Sequence, residues 1–315
     1  SDVCSSDLPG WEEVVRRLHS RDDTDVYTTG SNARLLSGEL ATHLTGRYIT
    51  IPVYPLSFDE YQRHHRAQGT TDSTDQLFSE YMMFGGMPGL FVTGQPDQDK
   101  ATEILTSIYE SIVMKDVAGR YGIRDIATLE KLSRYLFSTS GNLFSVNKVA
   151  NTLTSAGANA SYATVDNQIS ALERSFIVYS AQQERMRGKE LLRPQRKFYP
   201  VDNGFRNLAT GFNGSDRGAQ LEGIVFMELQ RRGYDVTIGS LPDGEIDFIA
   251  KRGNDKQYIQ VTLNMTEEQT RERELAPLRR LGDAFPRTVL TLDWHSEGMT
   301  DEGIHITNVM DWLCS

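Results

Sequence analysis

Asp25-Val26-Tyr27-Thr28-Thr29-Gly30-Ser31-Asn32 is the stretch on which the fold class turns. Residues 25–29 are rich in β-branched and aromatic side chains and are stopped by Gly30-Ser31-Asn32, which predicts a strand ending in a polar turn. From Ala33 to Thr45, Leu35, Leu36, Leu40 and Leu44 fall on one helical face, and Tyr48 to Tyr54 reads as a second strand closed by Pro55. Strand, helix, strand is the unit of a parallel α/β sheet. One such unit cannot cover both faces, so this sheet is expected to need more strands than the chain supplies. Upstream, Trp11 to His19 predicts an amphipathic helix with Trp11, Val14, Val15 and Leu18 on one side. Ser1 to Leu8 resembles a translated sequencing adapter and is read as an artefactual leader, so the natural N-terminus is not expected in this chain.

Downstream of this unit, Phe58 to about Leu136 carries a helical period, bent at Gly85-Gly86-Met87-Pro88-Gly89. Leu129 to Val201 reads as three helices and two strands. Ser145 caps the second helix, the third opens near Ser161, and Phe176–Ala181 and Lys197–Val201 are the strands. The last third gives helix 221–232, strands 234–239, 245–251 and 258–263, helix 267–281 and strand 288–293. That order forms a compact α/β domain of its own.

With 315 residues, two or three domains are expected. No window approaches the apolar run of about eighteen residues that a membrane helix needs, and the chain opens on no basic, apolar leader. Cys4 and Cys314 give neither a disulfide framework nor zinc spacing, so the cytoplasm is the expected compartment. A net charge of -10 excludes a surface coated for nucleic acid but leaves a local basic patch open. His64 and His65 are adjacent and diverge on a helix, which makes them a poor metal pair. Arg271, Arg273, Arg279 and Arg280 interleave with Glu267, Glu268, Glu272 and Glu274 as a solvated, salt-bridged face.

An ordered series of motifs adds a resemblance. Thr29-Gly30-Ser31-Asn32, Leu44-Thr45-Gly46-Arg47 and Pro55-Leu56-Ser57-Phe58-Asp59-Glu60-Tyr61 are followed by Phe84-Gly85-Gly86-Met87-Pro88 and Lys115-Asp116-Val117. Tyr199-Pro200-Val201-Asp202-Asn203-Gly204 and Gly244-Glu245-Ile246-Asp247-Phe248 complete it. This series resembles prokaryotic AAA-type ATPases with a C-terminal domain of unknown function (family 4143). The resemblance implies an α/β multidomain fold: a leader (1–8), the C-terminal part of an AAA core (9–61), a helical lid or linker (62–127), a winged-helix-like domain (128–205), and a restriction-endonuclease-like PD-(D/E)xK domain (206–315).

It also implies roles. Ser31 and Asn32 stand where such ATPases sense the γ-phosphate, and Arg47 stands where an arginine reaches a neighbouring subunit's nucleotide. The other reading of Arg47 is a cation complementing a helix dipole. No G-x-x-x-x-G-K-[ST] occurs, nor a hydrophobic strand ending in Asp-Glu, so ATP and magnesium are assigned to an intact, oligomeric parent and no cofactor to this chain.

The winged-helix-like segment would present residues 162–174 to a DNA groove, with Arg185, Arg187, Lys189, Arg193, Arg196 and Lys197 on the wing for phosphate contact. A protein-docking or solvated loop is the alternative. In the last domain Glu222, Asp247 and Gln260 occupy the nuclease positions, with Asp247 and Gln260 the metal candidates. Gln260 lacks the anion and Thr262 lacks the cation of Glu-x-Lys, leaving Lys251 or Lys256 to substitute. The readings are therefore an ATP-driven protein acting on DNA, a non-catalytic DNA- or protein-interaction module, and a magnesium-dependent nuclease. None of them calls for a membrane.

Overall fold

A computed structural model describes residues 11–21, 23–31, 48–92, 94, 97–158, 160–185, 195–214, 216–241 and 244–315. Helix α1 (Trp11–His19) forms as its apolar stripe predicts. The segments expected as strands, 25–29 and 48–54, are not strands, and Tyr27, Ile49, Ile51 and Val53 are exposed. Alternating apolar residues give a propensity, but a strand exists only against a neighbour that takes up its N–H and C=O groups, and no described residue does so here. The helix expected between them lies outside the described residues.

Two capped helices follow, α2 (Phe58–Ala67) and α3 (Thr74–Phe84). Ser57 accepts from Glu60 N while Glu60 accepts from Ser57 N, and Ser73 with Gln76 repeats this box. After the Gly85–Gly89 bend comes α4 (Gln98–Ser111), which runs directly into a π-helical segment, Ile112–Gly119. Then come α5 (Ile126–Ser138), β1 (Leu143–Phe144), α6 (Val146–Ser155), α7 (Tyr162–Arg174), β2 (Val178–Arg185) and β3 (Arg196–Pro200). The last third contains α8 (Asn203–Thr210), α9 (Arg217–Arg231), β4 (Asp235–Leu241), β5 (Gly244–Arg252), β6 (Asp255–Thr262), α10 (Glu268–Arg279), β7 (Arg287–Thr291), β8 (Gly298–Met299), β9 (His305–Asn308) and α11 (Val309–Leu313).

All nine described strands join one mixed sheet, ordered β1-β3-β2-β4-β5-β6-β7-β9-β8. Its middle seam is β2 against β4, a parallel pair in which Gln182 faces Thr237 and Arg185 faces Ser240. The sheet thus runs through the boundary expected near residue 205.

α9 lies on one face, where Val225, Phe226 and Leu229 bury against Tyr199, Val236, Ile238, Phe248 and Ile259. α10 covers the other face at β5 to β7 through Leu275 and Leu278. A separate core under α4, α5 and α7 gathers Leu105, Leu132, Leu136, Ile169 and Leu172 against Val178 and Phe198. Among the described residues no helix is long and apolar enough to cross a membrane.

Candidate functional site

β3 carries Lys197 and Tyr199 on one face, as the two-residue strand period requires. That face looks onto α9. The Tyr199 ring stacks on Phe226, 4.2 Å between centroids, which fixes the strand against the helix one turn from Glu222. Tyr199 Oη donates to Glu222 Oε1 at 2.7 Å, and Lys197 Nζ lies 3.1 Å from the same oxygen. Lys197 also pairs with Glu245 of β5. It is only 5% exposed, an ammonium taken almost wholly out of water.

Asp247 joins from the middle of β5. The β4/β5 register shifts between Thr237 and Gly239, so β5 accommodates an extra residue and its side chains are re-aimed locally. Asp247 Oδ2 accepts from Val261 N at 2.8 Å. Gln260, across on β6, accepts from Asp247 N at 3.3 Å and donates to Glu274 of α10 at 3.1 Å. Of the three residues expected at nuclease positions, Asp247 is therefore hydrogen-bonded to Gln260 and lies within electrostatic reach of Glu222, while the Gln260 amide turns to Glu274 under α10. The cation beside Glu222 is Lys197, assigned by sequence to the wing. Lys251 pairs with Glu184 at 2.7 Å and Lys256 with Asp283 at 3.3 Å, so neither suggested substitute reaches the centre. Thr262 donates to Asn264 O.

Charge explains the titration behaviour. Burial raises the Glu222 carboxyl above its ordinary range, opposed by Lys197 and the Tyr199 hydroxyl. Burial, then repulsion from Glu222, lifts Asp247 well above the ordinary range against the pull of Lys197. Desolvation disfavours the Lys197 ammonium, but Glu222, Asp247 and Glu245 outweigh it and hold the proton more tightly than usual. One ammonium cannot neutralise three carboxylates, so Lys197 stays charged and the raised carboxyls retain proton affinity.

These residues do not fit a magnesium ion. Among the described residues no group of three His, Cys, Asp or Glu is placed to hold a metal. The Lys197 ammonium, held against Glu222 and Glu245, repels a second cation, and both ends of the Gln260 amide are engaged. The other expected sites divide. Arg196 lies 3.3 Å from Asp166 and 3.4 Å from Glu173 and sits over the Phe198 ring, so it is turned inward onto α7. The Arg185 side chain, Arg187, Lys189 and Arg193 lie outside the described residues, as do Asn32 and Arg47. Ser31 Oγ donates to Asp116 Oδ1 at 2.9 Å, in the π-helical segment, and Ser175 at the end of α7 donates to Asp116 O.

A second polar cluster was not anticipated as a unit. Asp202 is buried and accepts from Gly86 N at 2.7 Å and Gly204 N at 2.8 Å. Gly86 O in turn accepts from Leu56 N at 2.8 Å. Tyr81 Oη donates to Leu56 O, and Arg231 of α9 donates to Pro55 O at 2.7 Å. Asn207 closes the end of α3 by donating to Met82 O and Met83 O. The motifs at 55–56, 84–88 and 199–204 thus converge on one joint. Their spacing offered a signal, because Gly-Gly beside a buried acid is how backbone N–H groups reach a carboxylate.

With this geometry in hand, comparisons with known proteins identify the chain's relatives. An AAA domain model matches residues 6–62, and a domain of unknown function (DUF8612) matches residues 75–216. An uncharacterized protein of Haemophilus influenzae is 38% identical over 306 residues, covering 97% of this chain and 75% of that protein. This chain belongs to that protein's family. An uncharacterized protein of Methanocaldococcus jannaschii is 29% identical over 279 residues, covering 85% of this chain and 61% of that protein. No solved structure gives a significant match.

Family membership and the two domain matches fit an AAA-type, nucleotide-binding protein with a C-terminal domain of unknown function, numbered 8612 where the sequence motifs suggested 4143. The AAA match contains Ser31, Asn32 and Arg47. The second match contains Gly85, Gly86, Lys197 and Asp202 and ends before Glu222, so the polar centre is built partly beyond both matches.

Proposed function

We propose that this chain is the partner-handling arm of an AAA-type ATP-binding protein, and that it carries nucleotide-dependent movement from the AAA segment to a winged-helix-like and nuclease-like body. The observation behind this reading is the joint. The AAA match ends at residue 62, and Pro55 and Leu56 just inside it are held by Arg231, Tyr81 and Gly86. A displacement of that segment must therefore move α9 and the sheet, or break these bonds. The Ser31–Asp116–Ser175 contacts offer a second tie, from the expected sensor position to the end of α7.

The ATP chemistry belongs in this reading to the intact, oligomeric parent, with Asn32 sensing and Arg47 acting in trans. The winged-helix reading of the middle is supported by β1 pairing with β3 beside α6 and α7. DNA contact would then fall to Arg185, Arg187, Lys189 and Arg193, since Arg196 and Lys197 are committed inward. Because Lys197 already places a buried positive charge inside the polar centre, a retained nuclease-like platform is favoured over a magnesium-dependent nuclease.

The test uses the intact protein. Its affinity for duplex DNA is measured with ATP, with a non-hydrolysable analogue and without nucleotide, for the wild type and for Arg231→Ala. Coupling predicts a nucleotide-dependent affinity that Arg231→Ala abolishes while ATP hydrolysis persists. An affinity indifferent to nucleotide would remove DNA as the coupled partner. If Arg231→Ala left a nucleotide-dependent affinity intact, the joint would not be the route.

A further inference from the structure

Lys197 is delivered to the polar centre by β3, the strand that returns from the wing, whereas the carboxylates come from α9 and β5. Its side chain is only 6% exposed, and it contacts Glu222 and Glu245 directly. The Glu222 carboxylate is confined on its other side. Gly141 lies so close that a Cβ there would stand 3.0 Å from Glu222 Oε2, and Gly141 N donates to Phe198 O in the strand that carries Lys197. Tyr199 takes a further lone pair of Glu222, and Val261 N takes one of Asp247. A buried cluster of carboxyls is stable only if a cation or bound protons compensate it, because a desolvated, unpaired charge is costly. Within this centre the compensating cation is already covalently part of the chain.

We propose that Lys197 is the resident cation of this centre, supplying the positive charge that a divalent ion supplies in nuclease-like sites, so that the body folds and holds its shape without metal. The inference does not depend on ATP coupling. It concerns only Lys197 and the three carboxylates around it. It also gives the wing strand a second task, since withdrawing β3 would leave Glu222, Glu245 and Asp247 without their counter-ion.

The experiment measures Mn2+ binding to the purified chain by electron paramagnetic resonance, alongside thermal melts with Mg2+ and with chelator. The wild type is expected to bind no Mn2+ in a manner that Asp247→Asn removes, and to melt at one temperature with or without Mg2+. Lys197→Met is expected to melt lower by more than about 5 °C in chelator. It should recover part of that loss with Mn2+, through a site abolished by Asp247→Asn. Lys197→Met/Glu222→Gln, which removes one charge of each sign, should recover stability without metal. Should Lys197→Met fail to fold, Lys197→Arg and the double variant carry the test, because both are expected to fold in chelator. Asp247-dependent Mn2+ binding by the wild type would overturn the proposal, as would a Lys197→Met chain that melts like the wild type in chelator.

Discussion

Substituting Gly85 by alanine tests the joint at its tightest point. Gly85 closes α3 with φ 80° and ψ -166°, a conformation that side chains rarely adopt. A Cβ there would lie 1.8 Å from Asp202 Oδ1 and 2.5 Å from its Cγ. Asp202 cannot swing aside freely, because its two oxygens are held by Gly86 N and Gly204 N. Displacing it forfeits at least one bond to a charged acceptor, about 1.5–3 kcal/mol. The backbone strain adds about 1–3 kcal/mol. The combined loss is about 4 kcal/mol, which lowers the melting temperature of a chain this size by about 10 °C. Gly69→Ala is the matched control, with φ 82° and nothing within 4 Å of its Cβ position. It incurs backbone strain alone and should lose about 1 kcal/mol. Calorimetry at pH 8 compares the two variants, and the Asp202 contact appears as a larger loss in Gly85→Ala than backbone strain alone produces in Gly69→Ala. Equal melting temperatures for the two variants would refute the cradle argument.

Three other outcomes are expected. Burial raises the Asp202 carboxyl to about 6, against hydrogen bonds from Gly86 and Gly204 and the charge of Arg231. Since its folded pKa lies above the ordinary 3.8, Asp202 favours folding most below pH 4, and about 3 kcal/mol is lost as pH rises from about 4 to about 6. Urea midpoints across that range should flatten in Asp202→Asn. Arg206 is 2% exposed and ion-paired to Asp216 at 2.6 Å, while its Nε and Nη1 have no hydrogen-bond partner among the described residues. Asp216→Ala should therefore cost about 1–3 kcal/mol by denaturant titration, and Arg206→Met, which removes the buried charge itself, less than that. Lys251 and Glu184 tie β5 to β2 across a partly solvated pair, so Lys251→Ala should change stability by less than about 1 kcal/mol.

The parts of the fold that sequence made legible are those whose signal is local. α9, β4 to β6, α10 and β7 follow the expected order because each carries a period that burial enforces, such as Val225, Phe226 and Leu229 on α9. Pairing is not local. Nothing in residues 178–185 announces that they lie parallel to 235–241, and Ile49, Ile51 and Val53 alternate like a strand with no neighbour among the described residues to make them one. β8, β9 and α11 are too short to show a period. In the polar centre, Glu222, Asp247 and Gln260 were singled out through the resemblance, by the helix and strands they stand on. Lys197 was grouped with the wing because five other cations precede it within thirteen residues. The two-residue spacing to Tyr199, which turns both toward α9, was the only local sign of its inward role.

Lys197 and Asp202 stand five residues apart on one stretch of chain, and that spacing links the two clusters physically. At about 3.3 Å per extended residue, β3 and the turn after it hold the polar centre and the joint no more than about 17 Å apart. Each end is fixed by groups that tolerate little displacement: Lys197 by Glu222 and Glu245, Asp202 by Gly86 and Gly204. Between them Tyr199 stacks on Phe226, and β3 pairs with β2 from Pro200 to Arg196. A stiff, paired strand pinned at both ends cannot slip by a fraction of a residue, because a one-residue slip would turn Lys197 to the opposite face. The joint and the centre therefore move as one body or one of them breaks. That is why displacing β3 is expected to strain both the Leu56–Gly86 contact, at the margin of the AAA segment, and the Lys197 ion pairs under α9, and to break at least one of them.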